Sequence, residues 1–139
     1  MRSFVLLPAA FSLVLVGCGD SGNVPQTVEK AQETKLRDVG EVYRVYQIVN
    51  KRPPKNVKEL QAVSEGSLSG YEAIRSGDVV VQWNATLPNI EETPGGGSPE
   101  VLAYLKDAPE KGGPVLMLDR SIKVMTADEF KAAKKAGTP

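Results

Sequence analysis

The spacing of apolar positions divides the chain into a helical first part and a strand-rich second part. Over residues 27–49, apolar side chains recur three and four residues apart, which predicts an amphipathic helix with one wide buried face. Thr27 can cap its start, and Pro53-Pro54 cannot continue it. The predicted buried positions are Leu36, Val39, Val42, Tyr43, Val45, Tyr46 and Val49.

A second, short helix is predicted to begin at Asn56. Its side chain stands three residues before Glu59, in the manner of a capping box. Leu60 and Val63 are the expected buried pair of this helix. A loop is expected next, over residues 66–70, because two glycines and two serines interrupt the pattern there.

The apolar period then shortens to that of strands. The pattern of residues 71–75 is ambiguous, whereas residues 78–85 alternate, with Val79, Val81 and Trp83 on one face. Further strands are predicted over residues 101–106, 115–118 and 122–125, with a tight turn at 119–121. Short connections of this kind favour antiparallel pairing.

A final helix is predicted from Thr126, because Thr126 and Glu129 form a second capping box, and Gly137 is expected to close it. The fold class that follows is α+β, with the N-terminal amphipathic helix packed on a small antiparallel sheet and a short C-terminal helix. We expect residues 27–139 to form one domain, because so short a chain has no room for a second core.

The N-terminus carries the strongest functional signal. Arg2 precedes an apolar run over residues 4–16, which is 13 residues long, whereas a membrane-spanning helix needs about 20. The run ends in Leu15-Val16-Gly17-Cys18, a lipoprotein box, in which a small residue precedes the thiol that receives diacylglycerol. A plain signal peptide with an incidental cysteine, or a short buried helix, are the alternatives.

The lipoprotein interpretation predicts where the protein is located. Residues 1–17 are the signal peptide, Cys18 is the lipidated residue, and the small polar residues 18–26 form a flexible tether. The protein is then exported and anchored through the lipid on Cys18 to a membrane of the cell envelope, on its periplasmic or surface face.

Composition narrows the function classes. Cys18 is the only cysteine, so a lipidated Cys18 leaves the domain without a thiol nucleophile. The chain has no histidine, the side chain that most often transfers protons near neutral pH and most often binds metals. With 17 basic and 17 acidic residues, the chain has no net charge to attract nucleic acid. We therefore expect a non-catalytic protein with no cofactor, whose partners are a membrane and an envelope protein.

Several of these positions also resemble a known family. Tyr46, Asn50, Pro53-Pro54 and Leu60 are similar to the helix-end signature of the globular domains of type II secretion pseudopilins (G-type) and related prepilin-like proteins. Residues 115–125 resemble their last hairpin, where an Asp-Gly turn joins two apolar strands. The resemblance implies a pilin-like fold and a role as a component of an envelope assembly, such as a secretion apparatus.

The chain also departs from that family. It has a lipoprotein box where a prepilin has a processing site and a glutamate-bearing apolar helix, so polymerisation is not implied. It has Asp119-Arg120 where the related hairpins have Asp-Gly, which predicts a different turn geometry.

The loop over residues 88–99 gives the alternative function, a small-ligand or calcium-binding module. Some G-type pseudopilins bind calcium in this region, and Glu91-Glu92 with Glu100 or Asp78 would offer oxygen ligands. A solvated acidic loop is the simpler interpretation. Gly95-Gly96-Gly97 lacks the Lys-Ser/Thr of a phosphate-binding loop and is interpreted as an unconstrained connection between strands.

Two further groups have a functional and a structural interpretation. Trp83, Tyr43 and Tyr46 could stack on a sugar, but their apolar register favours core packing. Lys131, Lys134 and Lys135 could touch headgroups or an anionic wall polymer, but a position in the last turns of a helix explains them through the helix dipole. No serine has the context of a catalytic nucleophile.

Overall fold

A computed structural model describes residues 27–88, 90–91 and 93–137. The α+β prediction is confirmed, since a long N-terminal helix packs on a four-stranded antiparallel sheet and a short helix follows the last strand. In chain order the elements are α1 (Val28–Asn50), α2 (Val57–Leu60), a 3-10 helix (Gln61–Gly66), α3 (Leu68–Arg75), β1 (Val79–Val81), β2 (Val101–Leu105), α4 (Ala108–Lys111), β3 (Gly113–Met117), β4 (Ile122–Met125) and α5 (Ala127–Ala132).

The first helix follows its predicted pattern over most of its length. The Thr27 hydroxyl accepts the Lys30 N–H at 3.3 Å, and the helix ends at Lys51, which adopts a left-handed φ of 57° and donates its N–H to the Gln47 carbonyl. Its first eight residues are exposed or half-exposed, and burial begins at Leu36. The prediction for Val49 is wrong, because this side chain is 64 % exposed. No helix among the described residues is long and apolar enough to span a membrane.

The sheet has the strand order β1-β2-β3-β4, and every neighbouring pair is antiparallel. Helix α1 covers one face, and α4 and α5 lie against the other. An irregularity in β2 between Val101 and Ala103 turns Leu102 and Ala103 both toward the α1 side, while Val101 and Tyr104 pack with Phe130 on the opposite side. The sheet therefore has a buried cluster on each face.

Two helices were not predicted. Helix α3 begins at Leu68, inside the segment expected to be a loop, and includes residues 71–75, whose pattern is ambiguous in the sequence. It lies against α1 so closely that a Cβ on Gly70 would collide with the backbone carbonyl of Asp38. Helix α4, a single turn, fills the connection between β2 and β3.

The first strand is shorter than predicted. It stops at Val81 because Asn84 adopts a left-handed φ of 61° in a turn and donates its N–H to the carbonyl of Pro54. Trp83 therefore lies outside the strand, although it still packs against the main core. The other three strands lie within two residues of their predicted bounds.

Both predicted capping arrangements are found, with one difference each. At α5 the Thr126 and Glu129 side chains accept each other's backbone N–H groups, as a capping box requires. That helix ends at Ala133, so the expectation that Gly137 closes it is wrong. Asn56 caps α2 as predicted, but the Glu59 carboxylate accepts from the N–H of Lys55 rather than of Asn56.

Candidate functional site

The predicted lipid attachment site lies outside the described residues, as do the predicted signal peptide and the predicted tether. Cys18 as an anchor therefore stays a prediction. The described domain begins nine residues after Cys18, at the N-cap of α1. A lipid on Cys18 would hold this domain by the free end of its longest helix.

The acidic candidates for a calcium site do not form a cluster among the described residues. Asp78 pairs with Lys35 at 3.4 Å and with Lys106 at 3.3 Å, and Glu100 pairs with Lys134 at 2.5 Å. The hydrogen bond from Lys106 is the main reason that the pKa of Asp78 lies below its ordinary value. Glu91 is exposed, and Glu92 lies outside the described residues. Across the described ranges, no group of three or more acidic, histidine or cysteine side chains could hold a metal ion.

The glycine-rich loop is tied to the last hairpin by one buried carboxylate. Asp119, 5 % exposed, accepts the N–H groups of Gly97 at 2.9 Å and Ser98 at 3.2 Å on one carboxylate oxygen. Its backbone carbonyl accepts the N–H of Gly95 at 3.0 Å. All three glycines adopt a positive φ, which the bonded path requires. The interpretation of this segment as an unconstrained connection is therefore wrong.

The same carboxylate also shapes the β3–β4 turn. Its second oxygen accepts the backbone N–H of Ser121 at 3.0 Å and the Ser121 hydroxyl at 2.6 Å. Burial raises the pKa of Asp119, but the hydrogen bonds from Ser121, Ser98 and Gly97 outweigh it, and the net pKa is below the ordinary value. Arg120 adopts a left-handed φ of 66°, the conformation in which a glycine is usually found.

A small cleft of about 250 Å³ lies beside this turn, lined by Arg37, Asp38, Gly40, Glu41, Pro94 and Arg120. Glu41 holds Arg44 through two hydrogen bonds, at 2.5 and 2.9 Å, and Arg44 also donates to the carbonyl of Ile90. Burial, followed by the charge of Arg44, lowers the pKa of Arg120. No spacing in the sequence brings residues from α1 and this hairpin together, which is why sequence reasoning missed the cleft.

A larger and more open groove, about 790 Å³ in volume, runs along the outer face of β4. Met117 and Met125 line it together with Ala132 and Ala133 of α5 and its cap, and Lys123 and Glu129 are among its polar lining residues. Glu129 is used by the capping box of α5, and Asp119, which also lines the groove, is used by the turn.

The aromatic candidates belong to the core, as predicted. Tyr43 is fully buried, and its hydroxyl donates to the carbonyl of Ala85 at 2.7 Å and accepts the N–H of the same residue at 3.1 Å. Burial raises the pKa of Tyr43. One turn later, the Gln47 amide bonds both the N–H and the carbonyl of Leu87. Tyr43 and Gln47 thereby fasten the segment after β1 to α1.

The Glu59 carboxylate accepts four hydrogen bonds near the C-terminal end of α1. It accepts two hydrogen bonds from Arg52, at 2.9 and 3.0 Å, one from the Tyr46 hydroxyl at 2.9 Å and one from the N–H of Lys55 at 2.9 Å. The bonds from Arg52 are the largest of the effects that lower the pKa of Glu59 to about 2. The sequence signalled Tyr46 and Glu59 separately, but not their contact.

The C-terminal lysines fit the helix-end interpretation in part. The Lys135 ammonium donates to the carbonyls of Phe130 at 2.6 Å and Ala133 at 2.7 Å, at the end of α5. Lys131 lies 4.0 Å from Asp128 within the helix. Lys134 lies beyond the helix and pairs with Glu100.

Comparison of the chain with family models, with curated proteins and with solved structures finds no match.

Proposed function

We propose that this protein is a non-catalytic lipoprotein that is anchored through Cys18 and presents a pilin-like domain to a protein partner in an envelope assembly. The observation that carries the proposal is the position of α1, whose N-cap Thr27 lies nine residues after Cys18 and which forms one complete layer of the domain. Such a long N-terminal helix on an antiparallel sheet is also the arrangement that a pseudopilin-like domain requires.

The length of the tether supports a domain held near a membrane. Nine residues span at most about 30 Å when fully extended. The first eight residues of α1 add a helical stalk that is exposed or half-exposed before the core begins. The sheet and the far end of α1 lie beyond this stalk, where a second protein can reach them.

The use of the polar side chains also supports an interaction role. Tyr43, Gln47, Glu59, Asp119 and Glu129 have the hydrogen-bonding capacity that reactive sites need, yet each one bonds a backbone group. These bonds join α1, the segment after β1, the glycine-rich loop and the turns. Their role in this proposal is to hold the shape of a binding surface.

Mass spectrometry of the native protein tests the anchor directly. We expect the mature chain to begin at Cys18 with a thioether-linked diacylglycerol, and Cys18→Ser to move the protein from the membrane fraction to the soluble fraction. An unmodified thiol, or a retained leader, would contradict the proposal. Dense filaments of the purified acylated protein under the electron microscope would contradict the single tethered domain.

A further inference from the structure

The end of α1 opposite the tether concentrates positive charge. We define the basic tip as residues 49–59, which contain Lys51, Arg52, Lys55 and Lys58 against one acid, Glu59, a net charge of 4 − 1 = +3. The chain as a whole has 17 basic and 17 acidic residues and no net charge. The basic tip is therefore a local feature and not a consequence of composition.

The lysines of the basic tip differ from most other lysines in their lack of counter-ions. Elsewhere, five lysines lie within 4.0 Å of a carboxylate, namely Lys35, Lys106, Lys111, Lys131 and Lys134. In the part of the chain that the structure describes, no carboxylate lies that close to the ammonium of Lys51, Lys55 or Lys58. All three are exposed. The one acid available, Glu59, is occupied by Arg52.

The backbone of the basic tip is held in a fixed shape. Glu59 binds both the Arg52 guanidinium and the N–H of Lys55, and Pro54 is fully buried with its carbonyl accepting the N–H of Asn84 at 3.0 Å. Lys51 adopts a left-handed φ of 57°, which an L-residue adopts only at a conformational cost. A loop so constrained presents its charges without a large ordering cost on binding.

The chemistry of the basic tip favours an acidic protein over a phosphate polymer. The planar arginine fork, which suits phosphate best, is already used by Glu59, so only the point charges of the lysines remain. Val49, two residues before Lys51, is 64 % exposed and offers an apolar contact that a phosphate polymer has no means of matching. A protein segment with Asp or Glu around an apolar side chain matches both features.

We infer that the basic tip is the docking surface for an acidic segment of the partner protein. This inference rests on the proposed function, which supplies an envelope protein as the partner; the helix itself puts the basic tip about 35 Å from the tethered end of α1.

Binding of the full chain to three anionic probes tests the chemistry. The probes are poly-L-glutamate, inorganic polyphosphate and phosphatidylglycerol vesicles, compared at equal charge and at low and physiological salt. We expect the K51Q/K55Q/K58Q variant to bind poly-L-glutamate about tenfold more weakly than the unchanged protein. The matched K106Q/K111Q/K131Q variant, which removes three paired lysines, should bind within about twofold of it. Equal losses in the two variants, or preference for polyphosphate or vesicles, would overturn the inference.

Photo-crosslinking in cells tests the partner. A benzoylphenylalanine at Val49 should capture a protein through a peptide rich in Asp and Glu, and the product should disappear in K51Q/K55Q/K58Q but persist in K106Q/K111Q/K131Q. A Val49 product that survives the tip substitutions, or that joins a non-acidic peptide or a lipid, would refute the docking surface.

A second crosslinker position separates this inference from the proposed function. Val124, 56 % exposed on β4, lies on a different element. A protein captured from Val124 but not from Val49 refutes the basic tip and leaves the proposed function standing. Capture of no protein from either position or from the exposed Val28 and Val80 refutes both.

Discussion

Asp119 shows how one buried carboxylate can organise two loops. Its side chain accepts from Gly97, Ser98 and Ser121, so that the glycine-rich loop and the β3–β4 turn share one acceptor. Removing the carboxylate breaks all of these bonds at a residue that is itself 5 % exposed, and a hydrogen bond to a charged group contributes about 1.5–3 kcal/mol.

We therefore expect Asp119→Ala to lower the free energy of unfolding by about 3 kcal/mol, measured by urea denaturation. Glu91→Ala is the matched control, because Glu91 is an exposed acid in the segment that precedes the same loop. It should change the free energy by less than about 0.5 kcal/mol. Similar values for the two variants would mean that Asp119 does not hold the loop.

Arg120 occupies a position in the β3–β4 turn where the pseudopilin-like pattern has a glycine. The pseudopilin hairpins that the sequence resembles have glycine after the aspartate, and Asp119-Arg120 predicts a different turn. Arg120 nonetheless adopts the left-handed φ of 66° that glycine adopts readily. The turn thus takes a glycine-type conformation without a glycine, and the sequence alone did not signal this.

Glu59 makes the free energy of unfolding depend on pH. A glutamate in an unfolded chain has a pKa of about 4.3, whereas in the folded protein the pKa of Glu59 is about 2. Between these values the unfolded chain takes up a proton that the folded protein does not, so the stabilisation is present above about pH 4.3 and is lost as the pH falls toward 2.

We expect the urea midpoint of the unchanged protein to fall between pH 5 and pH 2.5, and that of Glu59→Gln to fall less over the same interval, since the amide does not titrate. Glu65→Gln, at an exposed position, serves as the control and should follow the unchanged protein. Parallel curves for all three proteins would show that Glu59 does not contribute to the pH dependence.

At the scale of elements, the contact of α1 with α3 depends on one glycine. A Cβ at Gly70 would overlap the backbone of Asp38 and Val39, and backbone cannot move aside as a flexible side chain does. Gly66 has no atom within 4 Å of its Cβ position and no positive φ, so an alanine there meets open space.

Gly70→Ala should therefore lower the thermal midpoint strongly, with a loss of about 3 kcal/mol, while Gly66→Ala should be neutral within about 0.5 kcal/mol. Differential scanning calorimetry of the two variants measures the contrast. Equal midpoints would show that α3 can move away from α1 without loss.

The elements that were predicted are those with local signals. Helix α1 has its apolar period and Thr27, and α5 has its capping box, so neither requires knowledge of distant residues. Helix α3 was missed because the glycine that resembles a loop residue is required by packing on α1. The first strand was overestimated because its end is set by the bond between Asn84 and Pro54, residues 30 positions apart.

The candidate site was less predictable for the same reason. Glu59 and Asp119 act through partners brought together by the fold, and no spacing rule relates Tyr46 to Glu59 or Gly97 to Asp119. The acidic residues that did attract attention, Asp78 and Glu100, are paired with lysines from other elements. A cluster of carboxylates in sequence gives no information about nearby cations.

For the whole molecule, the calcium-binding alternative has a direct test. We expect 1 mM calcium to change the thermal midpoint by less than about 1 °C, because Asp78 and Glu100 are held by lysines. A micromolar site would raise the midpoint by well over 5 °C at that concentration. A rise of that size that is lost in the double variant Glu91→Ala, Glu92→Ala would establish the calcium module instead.

The placement of α1 also determines how the domain would respond to a mechanical load. A pull applied at residue 27 acts along the helix axis, and the buried residues from Leu36 to Gln47 lie side by side against the sheet and α3. Such a force shears many contacts together and does not peel them one by one. A protein held at this terminus can therefore keep its core packed under tension, even where the exposed first turns of α1 before Leu36 unwind.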